Sequence, residues 1–244
     1  MNHSYFIAAI ASALEYSDTN DPAFSVIAQA IINDGEQRIY TDMDFLATNT
    51  SNQSLSFTAN SRTLDLTPLL SLSTGPVITI TGVNAISPAG LQAQLGTRNR
   101  IRMVKADILD LIWPIEEGIG TTNGIPAYGA MQDNKTLIVA PTPDQAYTAE
   151  VRGLYRPTPL SGSNPNTYIS TTYPALMLSA CMVFASGYQK NFGAASDDPK
   201  MAVSWESHYQ TLLTSAKEEE KRRKGENAGP STTPPAPITA PPQG

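Results

Sequence analysis

Few residues in this 244-residue chain have the types and spacing that catalysis requires. Two pairs of adjacent carboxylates, Glu116–Glu117 and Asp197–Asp198, are candidates for general acid–base chemistry, but neighbours in sequence do not necessarily face one pocket. The second pair precedes a proline and a predicted helix, so helix capping explains it better. The chain has no glycine-rich phosphate loop, no Gly-x-Ser-x-Gly motif and no metal-ligand spacing. We therefore expect no enzyme, cofactor or metal; a hydrolase using Glu116 or Glu117 is the enzymatic alternative.

Cysteine and histidine are scarce. The single cysteine, Cys181, excludes an internal disulfide and a cysteine-based zinc site, and its apolar neighbours predict a small core residue. His3 and His208 are the two histidines. Because His208 lies beside Trp205 and Tyr209 in a helical pattern, we interpret it as a helix-face residue and not as a ligand.

The composition points away from nucleic-acid binders and membrane proteins. The net charge is −6, whereas a free-standing nucleic-acid binder needs clustered Lys and Arg. Charged residues make up 16% of the chain, below the usual quarter, and 19 prolines are typical of β-rich and assembly proteins. No apolar run approaches a membrane span and no signal peptide is evident, so we expect a soluble protein of a reducing compartment.

A first basic cluster lies in the middle of the chain, at Arg98, Arg100, Arg102 and Lys105. On a strand the three arginines would point to the same face. One interpretation is a solvated edge strand guarded by charge. The functional alternative is an inter-subunit or DNA-channel patch, which docks an acidic subunit or DNA phosphate.

A second basic cluster lies at residues 217–224, which hold five of the 16 basic residues. Glutamates precede several of them by four residues, in the orientation that stabilises a helix. The expected pairs are Glu218–Arg222, Glu219–Arg223 and Glu220–Lys224. Residues 225–244 follow as a Pro/Thr/Ala tail, which is too poor in large apolar residues for a core and is expected to be disordered and polyproline-like.

Helical periodicity marks both ends of the chain. Apolar residues spaced in threes and fours predict helices near residues 4–16, 22–48, 174–191 and 199–223, and a short helix at about 105–112. Ser4 is the expected cap of the first helix, and Asp21–Pro22 begins the second. Gly35 inside the second helix predicts a kink or a close backbone contact.

The middle of the chain alternates with the period of a strand. Residues 54–58 and 63–67 predict a hairpin with its turn at Asn60–Ser61. Residues 76–86 suggest a strand pair broken at Gly82, and residues 137–140 and 147–155 are the clearest strands. A further hairpin turn is expected at Asp133–Asn134. Regular short strands with Gly, Pro and Asn between them predict an antiparallel sandwich or barrel-like sheet.

These elements predict an α+β fold. Helices of residues 1–50 and 158–224 would form one bundle, with an antiparallel β-sandwich or barrel-like module of residues 51–157 inserted between them. An extended proline-rich tail of residues 225–244 would complete the chain.

Three segments together resemble the head-to-tail adaptor (connector, or head-completion) proteins of tailed, especially short-tailed, bacteriophages. Residues 31–46 contain Glu-Gln-Arg-Ile-Tyr at 36–40, which looks like the family's early helix. Residues 124–155 carry a strand, a Pro-Thr-Pro-Asp turn at 141–144 and a strand ending in Leu154-Tyr155. Tyr173-Pro174 opens a later helix. The resemblance spans roughly residues 22–215.

The resemblance implies a structural virion protein. Copies of such an adaptor form a ring of twelve below the portal, extend the channel through which double-stranded DNA passes, and dock a tail nozzle or tail tube protein. Assembly would take place in the cytoplasm of the host bacterium. In this family the C-terminal segment commonly docks against the portal protein.

The predicted portal contacts combine the end of the last helix with the tail, although an inert disordered end is the alternative. They are Lys221, Arg222, Arg223, Lys224, Pro234, Pro235, Pro237 and Ile238. A function of another class also fits part of the sequence: the β region could be a tail-associated carbohydrate- or receptor-binding module. Trp113 and Tyr128 would then form its sugar platform.

Overall fold

A computed structural model describes residues 1–14, 22–114, 123–188 and 199–225. Six helices and seven strands lie in these ranges, and three short 3-10 segments connect some of them. The helices are α1 (His3–Ala13), α2 (Pro22–Asp42), α3 (Ala106–Ile112), α4 (Tyr168–Thr172), α5 (Pro174–Ala185) and α6 (Pro199–Arg223). The strands are β1 (Asn49–Ser56), β2 (Thr63–Asp65), β3 (Val77–Ser87), β4 (Thr97–Met103), β5 (Tyr128–Met131), β6 (Thr136–Ala140) and β7 (Thr148–Tyr155).

The seven strands form one curled, mixed sheet in the order β1-β7-β3-β4-β5-β6-β2. The α+β class is confirmed. The expectation that all strands pair antiparallel is wrong, because β4 and β5 run parallel, with Arg102 opposite Tyr128 and Met103 opposite Gly129. A parallel pair needs a crossover connection, and α3 lies in the chain between these two strands.

The predicted hairpin of β1 and β2 does not form. β1 pairs with β7 and β2 pairs with β6, so the two strands lie at opposite ends of the sheet. Between them the chain continues alongside the segment before β7: Phe57 donates its N–H to the carbonyl of Tyr147 at 2.8 Å, and Asn60 donates to that of Pro143 at 2.8 Å. Alternation in the sequence shows which face of a strand is buried but not which strand is its neighbour.

Two other strand predictions have opposite outcomes. Residues 77–87 form one strand, with a register shift between Ile80 and Gly82 against β7, and not a strand pair broken at Gly82. The hairpin of β5 and β6 is confirmed. In its turn, Asp133 accepts hydrogen bonds from the N–H groups of Lys135 at 2.6 Å and Thr136 at 2.7 Å, the usual role of aspartate in a turn.

The helix ends differ from the prediction in three places. Asn2, and not Ser4, caps α1, since its side chain accepts the N–H of Tyr5 at 3.1 Å. α2 ends at Asp42, six residues before the predicted end. The apolar pattern suggested a longer helix because it continues through Phe45, which is buried although its backbone is extended. α5 gives way to a 3-10 turn after Ala185, and α4 was not predicted.

All the helices except α3 share one hydrophobic cluster, with α5 packed against α1, α2 and α6. α5 is buried over most of its surface, including Leu176, Met177, Ala180 and Cys181. Where α2 crosses α5, a Cβ atom on Gly35 would lie 3.0 Å from Sγ of Cys181. The close contact predicted at Gly35 is therefore confirmed.

A second cluster covers one face of the sheet. It joins alternate residues of β3, β4, β6 and β7 to loop residues that fold over them, among them Phe57, Leu69 and Tyr147. Because side chains alternate between the faces of a sheet, the other face of β3, β4 and β7 carries the polar residues of the candidate site.

Candidate functional site

β4 presents its three arginines on one face. Arg98, Arg100 and Arg102 are exposed, whereas Ile101 between the last two is buried in the cluster on the opposite face. Lys105 is exposed just beyond the strand, where α3 begins. The alternation expected of this segment thus places the predicted patch on the outer face of the sheet.

A buried carboxylate organises this patch. Glu150 on β7 is 2% exposed and accepts hydrogen bonds from Asn84 Nδ2 at 2.6 Å and Ser51 Oγ at 3.2 Å. Arg98 Nε donates to it at 3.0 Å and Arg152 Nη2 at 3.2 Å. Burial raises the pKa of Glu150, but the bonds from Asn84, Arg98 and Arg152 outweigh that effect and hold its pKa below the ordinary value. Glu150 is therefore a carboxylate that fixes two half-exposed arginines.

Arg152 enlarges the patch to four arginines on two strands. It lies opposite Gly82 of β3, and Arg100 of β4 lies opposite Asn84 of the same strand. Glu150 and Arg152 were not among the residues predicted from the sequence. Their spacing was a usable signal, because residues 150 and 152 of a predicted strand share a face.

The second basic cluster, at the end of α6, is partly neutralised within the helix. Of the three expected pairs, Glu219–Arg223 forms. Glu218 forms its ion pair with Lys221, at 3.0 Å, and not with Arg222. Arg222 Nε instead donates to the backbone carbonyl of Glu218 at 3.3 Å. Within the described chain, Lys224 Nζ has no ion-pair partner.

Glu220 turns inward and fixes the end of α6 to the rest of the protein. It is 2% exposed and accepts the Leu46 N–H at 3.1 Å and the hydroxyls of Tyr168 and Tyr173, both at 2.9 Å. Arg223 contacts Glu220 and the Tyr168 hydroxyl. Burial raises the pKa of Glu220, but the hydrogen bonds prevail and leave its pKa below the ordinary value. Residues 226–244 lie outside the described chain, and with them the predicted contacts Pro234, Pro235, Pro237 and Ile238.

The segment 36–40 joins α2 to α6 and to the chain segment before α4. Arg38 of α2 makes a bidentate ion pair with Glu206 of α6, with N–O distances of 2.8 and 2.7 Å. The Arg38 guanidinium also lies 4.3 Å from the ring centre of Tyr209. Glu36 is buried and accepts the Leu160 N–H at 2.7 Å. Burial is the main reason that the pKa of Glu36 is raised. The charged residues of this motif are therefore packing and pairing residues.

The described residues offer no support for the chemistry first considered from the sequence. Glu116–Glu117 and Asp197–Asp198 lie outside the described chain. His3 is hydrogen bonded to Gln29 at 3.0 Å, and the His208 ring lies 6.1 Å from that of Trp205. Among the described residues, no three His, Cys, Asp or Glu side chains are grouped so that they could hold a metal ion.

No helix in the described ranges combines the length and the apolar character needed to cross a membrane.

The rings of Trp113 and Tyr128, the candidates for a sugar platform, do lie together. Their centres are 6.3 Å apart and their planes are inclined by 37°. Both are half-buried in a small hydrophobic cluster with Leu109 of α3. Their contact is thus also part of the packing of α3 on the sheet.

Comparison with known proteins gives one family. A search of curated proteins found no match. The family described as SU10 adaptor protein matches residues 1–234, nearly the full length. This match confirms the resemblance to phage head-to-tail adaptors and implies a structural component of the virion. The chain belongs to the SU10 adaptor protein family.

Proposed function

We propose that this protein is the head-to-tail adaptor that forms a ring below the phage portal, extends the DNA channel and docks the tail. The family match over residues 1–234 carries the proposal. It covers the helices, the sheet and the first half of the tail, so the role concerns the whole chain and not one domain. Twelve copies would match the portal's symmetry, with assembly in the cytoplasm of the host bacterium.

The portal contact is assigned to the end of α6 and the tail. Glu220 and Arg223 hold the last turn of α6 on the body of the protein, which gives the tail a fixed starting point. Arg222 and Lys224 are exposed and have no carboxylate partner in the described chain, so they are free to pair with an acidic portal surface. The tail would follow them, with its prolines and Ile238 lying in a groove of the portal at a small cost in conformational entropy.

The arginine patch of β4 and β7 is assigned to an acidic neighbouring subunit. Arg100, Arg102 and Lys105 are exposed and have no ion-pair partner among the described residues, and the protein as a whole is acidic, with a net charge of −6. DNA must slide through an adaptor channel, and a wall of arginines would bind its phosphates. A protein partner with exposed carboxylates fits the patch better than DNA does.

The location of the protein in the virion tests the proposal. Tagged protein should co-purify with the portal and tail proteins from infected cells, and imaging of the particles should place the tag at the head–tail junction. A tag at the tail fibres, together with selective binding on a glycan array, would instead establish the carbohydrate-binding module.

Charge reversal tests the two basic surfaces separately. Arg100→Glu with Arg102→Glu should weaken assembly with the acidic subunit and leave the melting temperature unchanged, because both side chains are exposed. Arg222→Glu with Lys224→Glu should weaken portal binding alone. If the first pair of substitutions changed only the retention of double-stranded DNA at low salt, the patch would belong to the channel.

A further inference from the structure

The sheet divides at β4 and leaves a cleft. On one edge of β3, residues 83–87 pair with β4, but residues 77–82 have no described strand beside them on that edge. Their only strand neighbour in the described chain is β7, on the opposite edge. Beyond Ile101, β4 leaves β3, and its residues Arg102 and Met103 pair with β5. The first half of β3 and the end of β5 therefore face each other across a gap.

The cleft is apolar and open. It has a volume of about 370 Å³ and is lined by Ile78 and Ile80 of β3, Met103 of β4 and Met131 of β5, over a floor that includes Leu66 and Leu69. Three lining side chains are unusually exposed for their type: Ile78 at 52%, Met103 at 42% and Met131 at 38%. Contiguous exposed apolar surface in a soluble protein marks an interaction site.

An apolar ridge that no described residue covers lies on α3. Leu109 is fully buried against the sheet, whereas Leu111 is 82% exposed, Ile112 48% and Ile108 46%. Residues three and four apart lie side by side on a helix, so Ile108, Leu111 and Ile112 form one surface, here called the α3 ridge.

The α3 ridge and the cleft lie on opposite faces of the β5–β6 hairpin. Ala130 and Ala140 face α3 and pack with Leu109. Leu137 and Val139 point to the other face and belong to the cluster of the sheet core. Met131, which lines the cleft, is paired with Leu137. The ridge of one molecule therefore cannot enter its own cleft, but it can enter that of a second copy.

We infer that the α3 ridge of one copy inserts into the cleft of the next and forms the contact between adjacent subunits of the ring. The sizes agree, because a cavity of about 150 Å³ holds a benzene-sized group, and the cleft has room for two or three aliphatic side chains. The charges also agree: Asp107 is exposed beside the ridge, and Lys135 is exposed beside Asn134 at the rim of the cleft.

This contact joins two different surfaces, and such head-to-tail contacts between identical chains generate closed rings when the rotation between neighbours closes. The inference rests on the proposed function, since it names the surface by which adaptor copies meet. It leaves the tail free for the portal and the arginine patch free to pair with carboxylates of a neighbouring subunit.

Disulfide trapping tests the contact. The variant with both Leu111→Cys and Ile78→Cys, mixed with portal and oxidised, should give a ladder of linked oligomers. Native Cys181 does not interfere because it is buried. The matched control pairs Val203→Cys with Ile78→Cys; Val203 is 69% exposed and belongs to α6, not to α3. It should give no ladder.

Mixing the two single variants distinguishes head-to-tail contact from symmetric contact. After oxidation, Leu111→Cys alone and Ile78→Cys alone should each show no disulfide-linked species. Their mixture should give a disulfide-linked dimer and nothing larger. Absence of the ladder, or dimers of either single variant as abundant as those of the mixture, overturns the inference. If the ladder is absent while the protein still binds portal, the inference fails and the proposed function stands; loss of portal binding in the unmodified protein refutes the proposed function.

Discussion

Gly35 of α2 lies so close to Cys181 of α5 that even the methyl group of an alanine would be crowded there. A Cβ atom on Gly35 would lie 3.0 Å from Sγ of Cys181, 3.1 Å from its backbone nitrogen and 3.3 Å from its Cα. Two of these three atoms belong to the backbone of a buried helix, which cannot move without displacing the core around it. Glycine is therefore what lets the two helices approach.

Substitution Gly35→Ala should destabilise the protein, although alanine is about 1 kcal/mol better than glycine inside a helix. Overpacking of a filled core costs about 1–3 kcal/mol, and here it opposes and exceeds the helical gain. Chemical denaturation would measure the loss. Gly187→Ala is the matched control, because a Cβ there meets no atom within 4 Å. Equal stability of Gly35→Ala and the natural protein would contradict the close packing of α2 and α5.

Glu220 should make the stability of the folded protein decrease as the pH falls into the acidic range. Its pKa in the folded protein lies below the ordinary value of 4.5, so the unfolded chain binds the proton more tightly. The stabilisation by this carboxylate is complete above pH 4.5 and is lost as the pH falls through the lowered pKa. The melting temperature of Glu220→Gln should therefore fall less steeply in acid than that of the natural protein. Glu218→Gln, at an exposed position, should retain the natural slope.

Glu36 should make the stability of the protein depend on pH in the opposite direction to Glu220. Burial, opposed by the hydrogen bond from Leu160, raises its pKa above the ordinary 4.5, so the folded protein binds this proton more tightly than the unfolded chain does. Stability from this group is present below pH 4.5 and is lost as the pH rises through the raised pKa. Glu36→Gln should remove that loss in melting curves recorded across this range. A steeper loss in the variant would mean that the buried carboxyl is charged and paired.

The sequence predicted features that depend on local spacing. The common face of Arg98, Arg100 and Arg102, the turn at Asp133 and the close contact at Gly35 all follow from residues near one another in the chain. It did not predict the partners of β1 and β2, because each of these strands carries a pattern that suits any neighbour. The contacts of Glu150 were missed for the same reason, since they join residues of four strands that only the topology brings together.

The tail should be dispensable for folding and necessary for portal binding. A chain that ends at Lys224 keeps the Glu220 contacts with Leu46, Tyr168 and Tyr173, so its far-UV spectrum and melting temperature should not change. Its affinity for portal should fall roughly tenfold or more, about 1.4 kcal/mol. Titration of both chains against portal would measure this difference, and equal affinities would show that residues 225–244 have no part in docking.

Mass photometry of the protein with and without portal tests the adaptor role most directly. The protein alone should be monomeric or weakly associated, because its apolar ridge, cleft and tail await partners. Addition of portal at micromolar concentrations should produce a heavier species whose mass equals the portal ring plus a matching ring of adaptor subunits. The absence of any species heavier than the portal ring would contradict the assignment of this protein to the head–tail junction.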